Sequence, residues 1–369
     1  MTNPLIRVSC HRLSHIGGSF LSKSPSSPLR ASVNVATTAQ RASKLTFSSF
    51  SLTRKQKKHD LDHAVEMVQS HDPVGYLPGR LLPTRDMSET YYAVRSFWVE
   101  TGLRFGTTAI VPPNSSPAEH IEWWQEGINL VYDENTDGMP TDFNHPTLRL
   151  LQELVPKNNL KKHHLDNVLL GRSHDLDLKQ YATLDDLVQH AERSCVSLLQ
   201  LVLESSKNGT SASANEAARL VGICHGLTNA LRLSIPVVSI TGKLVIPQDL
   251  CEKHNVKTPR YLLSALGQGD EAGQQALRSA VAEIVATART HLNEARALRQ
   301  RIFDASSNSN GAAEAAVATL IPAIASETFL NRLEQTGFDL TNRNLRNVGI
   351  VERASCSARM IAAYLTKTY

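Results

Sequence analysis

Residues 221–247 read VGICHGLTNALRLSIPVVSITGKLVIP. The opening of this stretch is the end of a buried helix, expected over about residues 214–233, that carries Thr228, Asn229 and Arg232. A turn follows, and weak alternation around Gly242 predicts a short hairpin. Between Glu216 and Asp249 there is no acidic residue. A hydroxyl, an amide and a guanidinium without a carboxylate either satisfy helix ends or line a pocket. Which of the two holds decides whether chemistry is done here.

Outward from this stretch, helical spacing dominates. Leu61, Ala64, Val65 and Val68 mark one helix, and Ser88 to about Phe105 a second. Pro117 suits the first turn of a third helix, whose Ile121, Trp124, Ile128 and Val131 share a face. Another helix starts near Pro146. Thr183 and Asp186 make a capping-box-like start, followed by a stripe of Leu187, Ala191, Leu198 and Val202. Gly273 to Asp304 reads as one long helix, and two more finish the chain. No strand–helix alternation and no internal repeat is present, so residues 59–369 are expected to form a single all-α domain of eight or more helices. No apolar run reaches about 18 residues, so no membrane-spanning helix is expected.

Charge divides the 369 residues unevenly. The first 59 hold ten Lys or Arg and no acid, against 29 basic and 35 acidic residues in 60–369, a net of −6. Residues 1–58 have the Arg-bearing, Ser-rich, acid-free composition of a mitochondrial transit peptide, disordered and cut between Arg41 and Lys58. A retained basic arm is the competing reading. The acidic balance of the rest gives no support for nucleic-acid binding. The pair Trp123–Trp124 reads as core and rim rather than a base-stacking platform. Five widely spaced cysteines without a C-x-x-C pair read as reduced thiols.

No phosphate-binding loop, dinucleotide fingerprint, H-E-x-x-H or G-x-S-x-G motif is present. His59, Asp62 and His63 have spacing that suits a metal, but the plainer reading is a solvated helix start. KKHHLD, residues 161–166, is likewise a mixed charged face.

The order of several segments says more than any one of them. GYLPGRLLP (75–83) and YYAVRSFWVE (91–100) precede IEWWQEGINLVY (121–132) and HPTLRLLQEL (145–154). LLGRSHDLDLKQYATLDDLVQHAE (169–192), GLTNALR (226–232) and KLVIPQDLCEKHNV (243–256) follow. In this order they resemble the squalene/phytoene synthase superfamily across nearly all of residues 60–340. The resemblance implies an isoprenoid-synthase-like fold of helices around a deep central cavity. Active members join two prenyl diphosphates, with Mg²⁺ held by aspartates on two facing helices.

Counting from the family's motifs, the first aspartates would fall at Gly102, Leu103 and Gly106, and the second pair at Leu233 and Val237. None of these residues binds a hard cation. Pro236 is expected to disrupt the helix of the second motif. The resemblance therefore implies a pseudo-enzyme with no catalytic residue, metal or cofactor, in which Glu100, Thr228, Asn229 and Arg232 are remnants of the ancestral pocket. A leader, this fold and missing Asp motifs resemble the mitochondrial branch that assembles respiratory complex I. RSFWVE, VIPQDLCEKHNV and the final AYLTKTY point the same way. That branch implies a matrix protein peripheral to the inner membrane. Its partners would be complex I subunits or other assembly factors, and a lipid or prenyl tail could still occupy the cavity. The alternative is a prenyl-transferring enzyme with unorthodox metal ligands among Asp175, Asp177, Asp185 and Asp186.

Overall fold

Prolines and capping side chains set where the helices begin. The structure is a computed structural model that describes residues 52–102, 116–135, 138–177, 180–206, 210–241, 243–256, 270–305, 311–342, 345 and 349–369. Residues 47–369 form one unit. Among the described residues every regular element is helical: α1 (Arg54–His71), α2 (Pro73–Arg80), α3 (Arg85–Gly102), α4 (Pro117–Val131), α5 (Pro146–Asn158), α6 (Lys162–Asp177), α7 (Leu184–Ala191), α8 (Ser197–Glu204), α9 (Ala212–Thr241), α10 (Gln248–His254), α11 (Glu271–Ala297), α12 (Arg299–Ala305), α13 (Ala312–Thr319), α14 (Pro322–Gln335) and α15 (Ile350–Leu365). Pro117 and Pro146 occupy first turns, where a missing N–H costs nothing. Ser116 with Glu119, and Thr183 with Asp186, close capping boxes.

Three expectations are corrected. Among the described residues the expected hairpin does not form: α9 runs on to Thr241, residues 243–247 are not paired as a strand, and Gly242 lies outside the described residues. Position 236 does not end α9 either, since a buried helix already nucleated on both sides carries a proline as a local defect. Among the described residues three long helical elements, not two, follow residue 311, and the long helix breaks at Leu298 into α11 and α12. The helix α1 starts at Arg54, ahead of the expected leader end at residue 58. Lys57 there pairs with Glu89 and Glu153.

Among the described residues two large cores and a small third one, between α14 and α15, hold the bundle. The N-terminal one gathers α1, α3, α4 and α5, with Phe97, Trp124, Leu148 and Leu151 fully buried. Edge-to-face contacts of Trp124 with Phe97, Trp123 and His145 order it. The C-terminal core packs α9 against α11 through small residues, among them Ala217, Ala218, Ala280, Ala288 and Ala295. Between α7 and α8 lies one π-helical turn, Glu192–Val196. Helix α9 crosses that turn closely: a methyl on Gly222 would come within 2.7 Å of the Val196 Cα, and one on Gly226 within 2.9 Å of the Ala191 Cα. Residues Ala312–Gln335 are long and apolar enough to cross a membrane, but 83% of that stretch is buried inside the protein, as in a core helix. Cys195, Cys224 and Cys251 are buried free thiols, and burial pushes Cys224 up to about 12.

Candidate functional site

The face of α3 that meets α9 carries Tyr91, Val94 and Arg95. With Cys195, Leu198, His225 of α9 and Pro322 they enclose a space of about 10 Å³. That is roughly the room one water needs. Arg95 lies over the Trp98 ring at 4.6 Å and pairs with Asp72, Nε to Oδ2, at 2.5 Å. Its Nη2 donates to His225 Nε2 at 3.5 Å, so the proton of His225 sits on Nδ1, which donates to Ser326 Oγ at 2.9 Å. Burial first, then the charges of Arg95 and Arg232, hold the His225 pKa well below the usual imidazole range.

The four expected pocket remnants separate. Thr228 is fully buried, and its hydroxyl donates back to the Cys224 carbonyl at 2.7 Å, so it serves its own helix. Asn229 accepts from Arg232 at 2.9 Å, and Arg232 covers the Phe329 ring at 4.9 Å. Glu100 turns away from α9 altogether. It is 4% exposed and faces α1 and α5, where its Oε1 lies 2.7 Å from His63 Nε2 and accepts from Ser96 at 3.3 Å.

Of the expected empty metal positions, Gly102 lies against the guanidinium of Arg172, which also donates to the Trp98 carbonyl at 2.8 Å. Leu103 and Gly106 lie outside the described residues. Leu233 is 49% exposed, and Val237 is partly buried. Asp175 accepts from the Tyr181 hydroxyl, Asp185 is exposed, and Asp186 caps α7. Asp177 has no described side chain. Among the described residues, α3 and α9 thus present cations to each other rather than facing carboxylates. This donor set does not fit the Mg²⁺–diphosphate chemistry that the fold carries elsewhere.

A second constellation was not foreseen. His59 and Asp62 face solvent, but His63 turns inward to Glu100. His145, the N-cap of α5, brings Nδ1 to 3.7 Å from Glu100 Oε2. The one signal for it in the sequence is a histidine at a cap, where Ser, Thr, Asp or Asn is usual. Beside this group, Asp60 is fully buried and bridged by Arg149, with Nε to Oδ2 at 2.9 Å.

Comparison with known proteins agrees with this architecture. The chain is 25% identical over 284 residues to the Bos taurus protein named NADH dehydrogenase (ubiquinone) complex I, assembly factor 6, covering 77% of each. It is 23% identical over 286 residues to the homologue from Dictyostelium discoideum, covering 76% of this chain and 72% of that one. Among solved structures, squalene synthase HpnC from Alicyclobacillus acidocaldarius superposes with a TM-score of 0.59 at 15% identity, over 78% of this chain and 97% of that one. A dehydrosqualene synthase in complex with ligand gives 0.60 at 18%, over 85% and 98%. The squalene/phytoene synthase profile matches residues 68–352, well over half of the chain, and the chain belongs to that family.

Proposed function

We propose that this chain is a non-catalytic assembly factor for respiratory complex I that binds proteins with its outer surface. The observation that carries the proposal is the double face of α15. Met360 and Ala363 pack inward against α14. On the opposite side Ile350, Ala354, Ala358, Ile361 and Leu365 follow helical spacing and are exposed, Ile350 by 87% and Leu365 by 72%. An apolar stripe left in water is what a partner helix or groove covers. The relatives' name supplies the kind of partner: complex I subunits or other assembly factors. The pocket beside Arg95, about 10 Å³, holds no prenyl chain as it stands, which favours the surface over the interior as the binding element.

The rest of the reading follows from this role. Residues 1–58 include a transit peptide, processed ahead of the Lys57 pairs that fasten α1. The mature protein works in the mitochondrial matrix, peripheral to the inner membrane. Loss of the Asp motifs at Gly102 and Leu233, with Arg172 against the former, makes it a pseudo-enzyme.

The test is complex I content and activity in mitochondria lacking the protein, with complexes II and IV measured alongside. A selective loss of complex I is expected, restored by the native chain and not by an Ile361→Glu, Leu365→Glu chain. Normal complex I with an altered isoprenoid or quinone profile would overturn the proposal in favour of a prenyl-transferring enzyme.

A further inference from the structure

Three elements meet at one buried point in the N-terminal core. His63 comes from α1, Glu100 from α3, and His145 from the cap of α5, and one donor atom of each lies within 4.8 Å of the others. Glu100 Oε2 and His145 Nε2 have no hydrogen-bond partner among the described residues, although both side chains are more than nine-tenths buried. A carboxylate in that position is costly to bury unless something cationic completes it. The Arg149 guanidinium, whose charge reaches His145, is already engaged by Asp60 and Asn144.

Each imidazole would exchange a present hydrogen bond for the ion: His63 Nε2–H donates to Glu100 Oε1 at 2.7 Å, and that proton would leave on metal binding. The Thr147 N–H donates to His145 Nδ1 at 3.2 Å, so an ion taken up at that nitrogen, 3.7 Å from Glu100 Oε2, would replace this helix-cap bond. The His145 ring plane is fixed by the Trp124 and Trp123 rings at 5.1 and 6.0 Å, and the Ser96 hydroxyl holds Glu100.

We propose that His63, Glu100 and His145 bind one divalent transition-metal ion of the zinc class. Water completes the coordination from the partly exposed His63 side. Bonds of about 2.0–2.1 Å in tetrahedral geometry set donors about 3.3 Å apart. The observed separations of 2.7 Å and 3.7 Å bracket that value. Two nitrogens and one oxygen favour zinc or its neighbours over Mg²⁺ or Ca²⁺. The ion would fasten α1 to α3 and to the start of α5. This inference is independent of the assembly reading.

The test uses the purified full chain, stripped with chelator and then exposed to Zn²⁺ or Co²⁺. One equivalent of metal should survive gel filtration by elemental analysis. The Co²⁺ form should show the intense visible bands of a four-coordinate ion, and saturating Zn²⁺ should raise the melting temperature. Glu100→Gln and His145→Gln should weaken binding at least about tenfold, while His59→Ala and His120→Ala should not. If the two buried variants fail to fold, His63→Gln at the exposed edge decides by the same readouts. Absence of retained metal, or retention unchanged in His63→Gln, would overturn the proposal.

Discussion

The two halves of this bundle solve the same packing problem with different chemistry. Among the described residues, every Asp, Glu and Arg that is buried lies before residue 150: Asp60, Glu89, Arg95, Glu100 and Arg149. After residue 205 the one buried ionisable imidazole is His225, and the core is built from alanines and aliphatics of α9, α11 and α14. The N-terminal half is therefore tied by directional contacts whose geometry must be met before desolvation is repaid. The C-terminal half depends on close approach of small side chains, where volume is the constraint. The difference teaches where tolerance lies: charge changes should harm the first half most, and added methyl groups the second.

The largest effect should come from Arg149→Met, which leaves the buried Asp60 with the exposed His59 ring at 3.2 Å in place of a guanidinium. A loss of about 3–5 kcal/mol in denaturant unfolding is expected. The half-exposed pair of Arg289 and Glu334 offers the contrast, since Arg289→Ala should cost less than about 1 kcal/mol. Similar losses for the two variants would erase the proposed contrast. Next is Gly226→Ala, where a methyl meets the Ala191 backbone across the seam of α9 and the π-turn. Overpacking of about 1–3 kcal/mol should follow, visible as a lower denaturation midpoint at unchanged slope.

His225 sharpens the comparison through pH. Its folded pKa lies well below the unfolded value near 6.5, with Arg95 and Arg232 facing it and Ser326 as hydrogen-bond partner. Its neutral form is native above about pH 6.5, so it adds no penalty there. As pH falls below that value the unfolded chain takes up the proton and the folded one does not, and stability declines by up to about 1.4 kcal/mol per pH unit. His225→Gln should flatten this acid limb in unfolding curves taken between pH 7 and 5; an unchanged slope would assign the limb to other groups. The smallest stability change belongs to Ile361→Glu on the outer face of α15, within about 0.5 kcal/mol. The same variant should lose complex I subunits or assembly factors from crosslinked mitochondrial eluates, and equal recovery would remove α15 from the docking surface.

Much of this fold was legible because its signals are local. The stripe of Ile121, Trp124, Ile128 and Val131 is buried as its spacing demands, and Thr183 with Asp186 caps α7. The end of α9 was misread because Val237, Val238 and Ile240 are β-branched. That preference is worth only tenths of a kcal/mol per residue, less than the burial a long core helix gains. The family was legible from segment order, but the directions of the side chains were not. Glu100 was counted with the α9 residues, yet it points the other way. Spacing of i, i+4 linked His63 to His59, while the structure gives it a partner 37 residues away. Such partners become visible only once α1 is laid across α3 and α5.

The π-turn at Glu192–Val196 has a consequence for how the chain tolerates insertions and deletions. Helix α7 ahead of it feeds Leu187 to the C-terminal core alone. Helix α8 behind it serves both cores, sending Leu199 and Leu203 to one and Leu198, Leu201 and Val202 to the other. One residue is about 100° of helical rotation. The π-turn widens to take up one extra residue, so a single-residue deletion within it would restore a regular helix and leave α8 near its present phase, whereas the same deletion in a regular turn would swing α8 by that angle and withdraw Leu201 from the N-terminal core. The widened turn thus lets the chain carry one residue more without turning α8 away from either core, and loss of one codon there should be better tolerated than the same loss in α7 or α8.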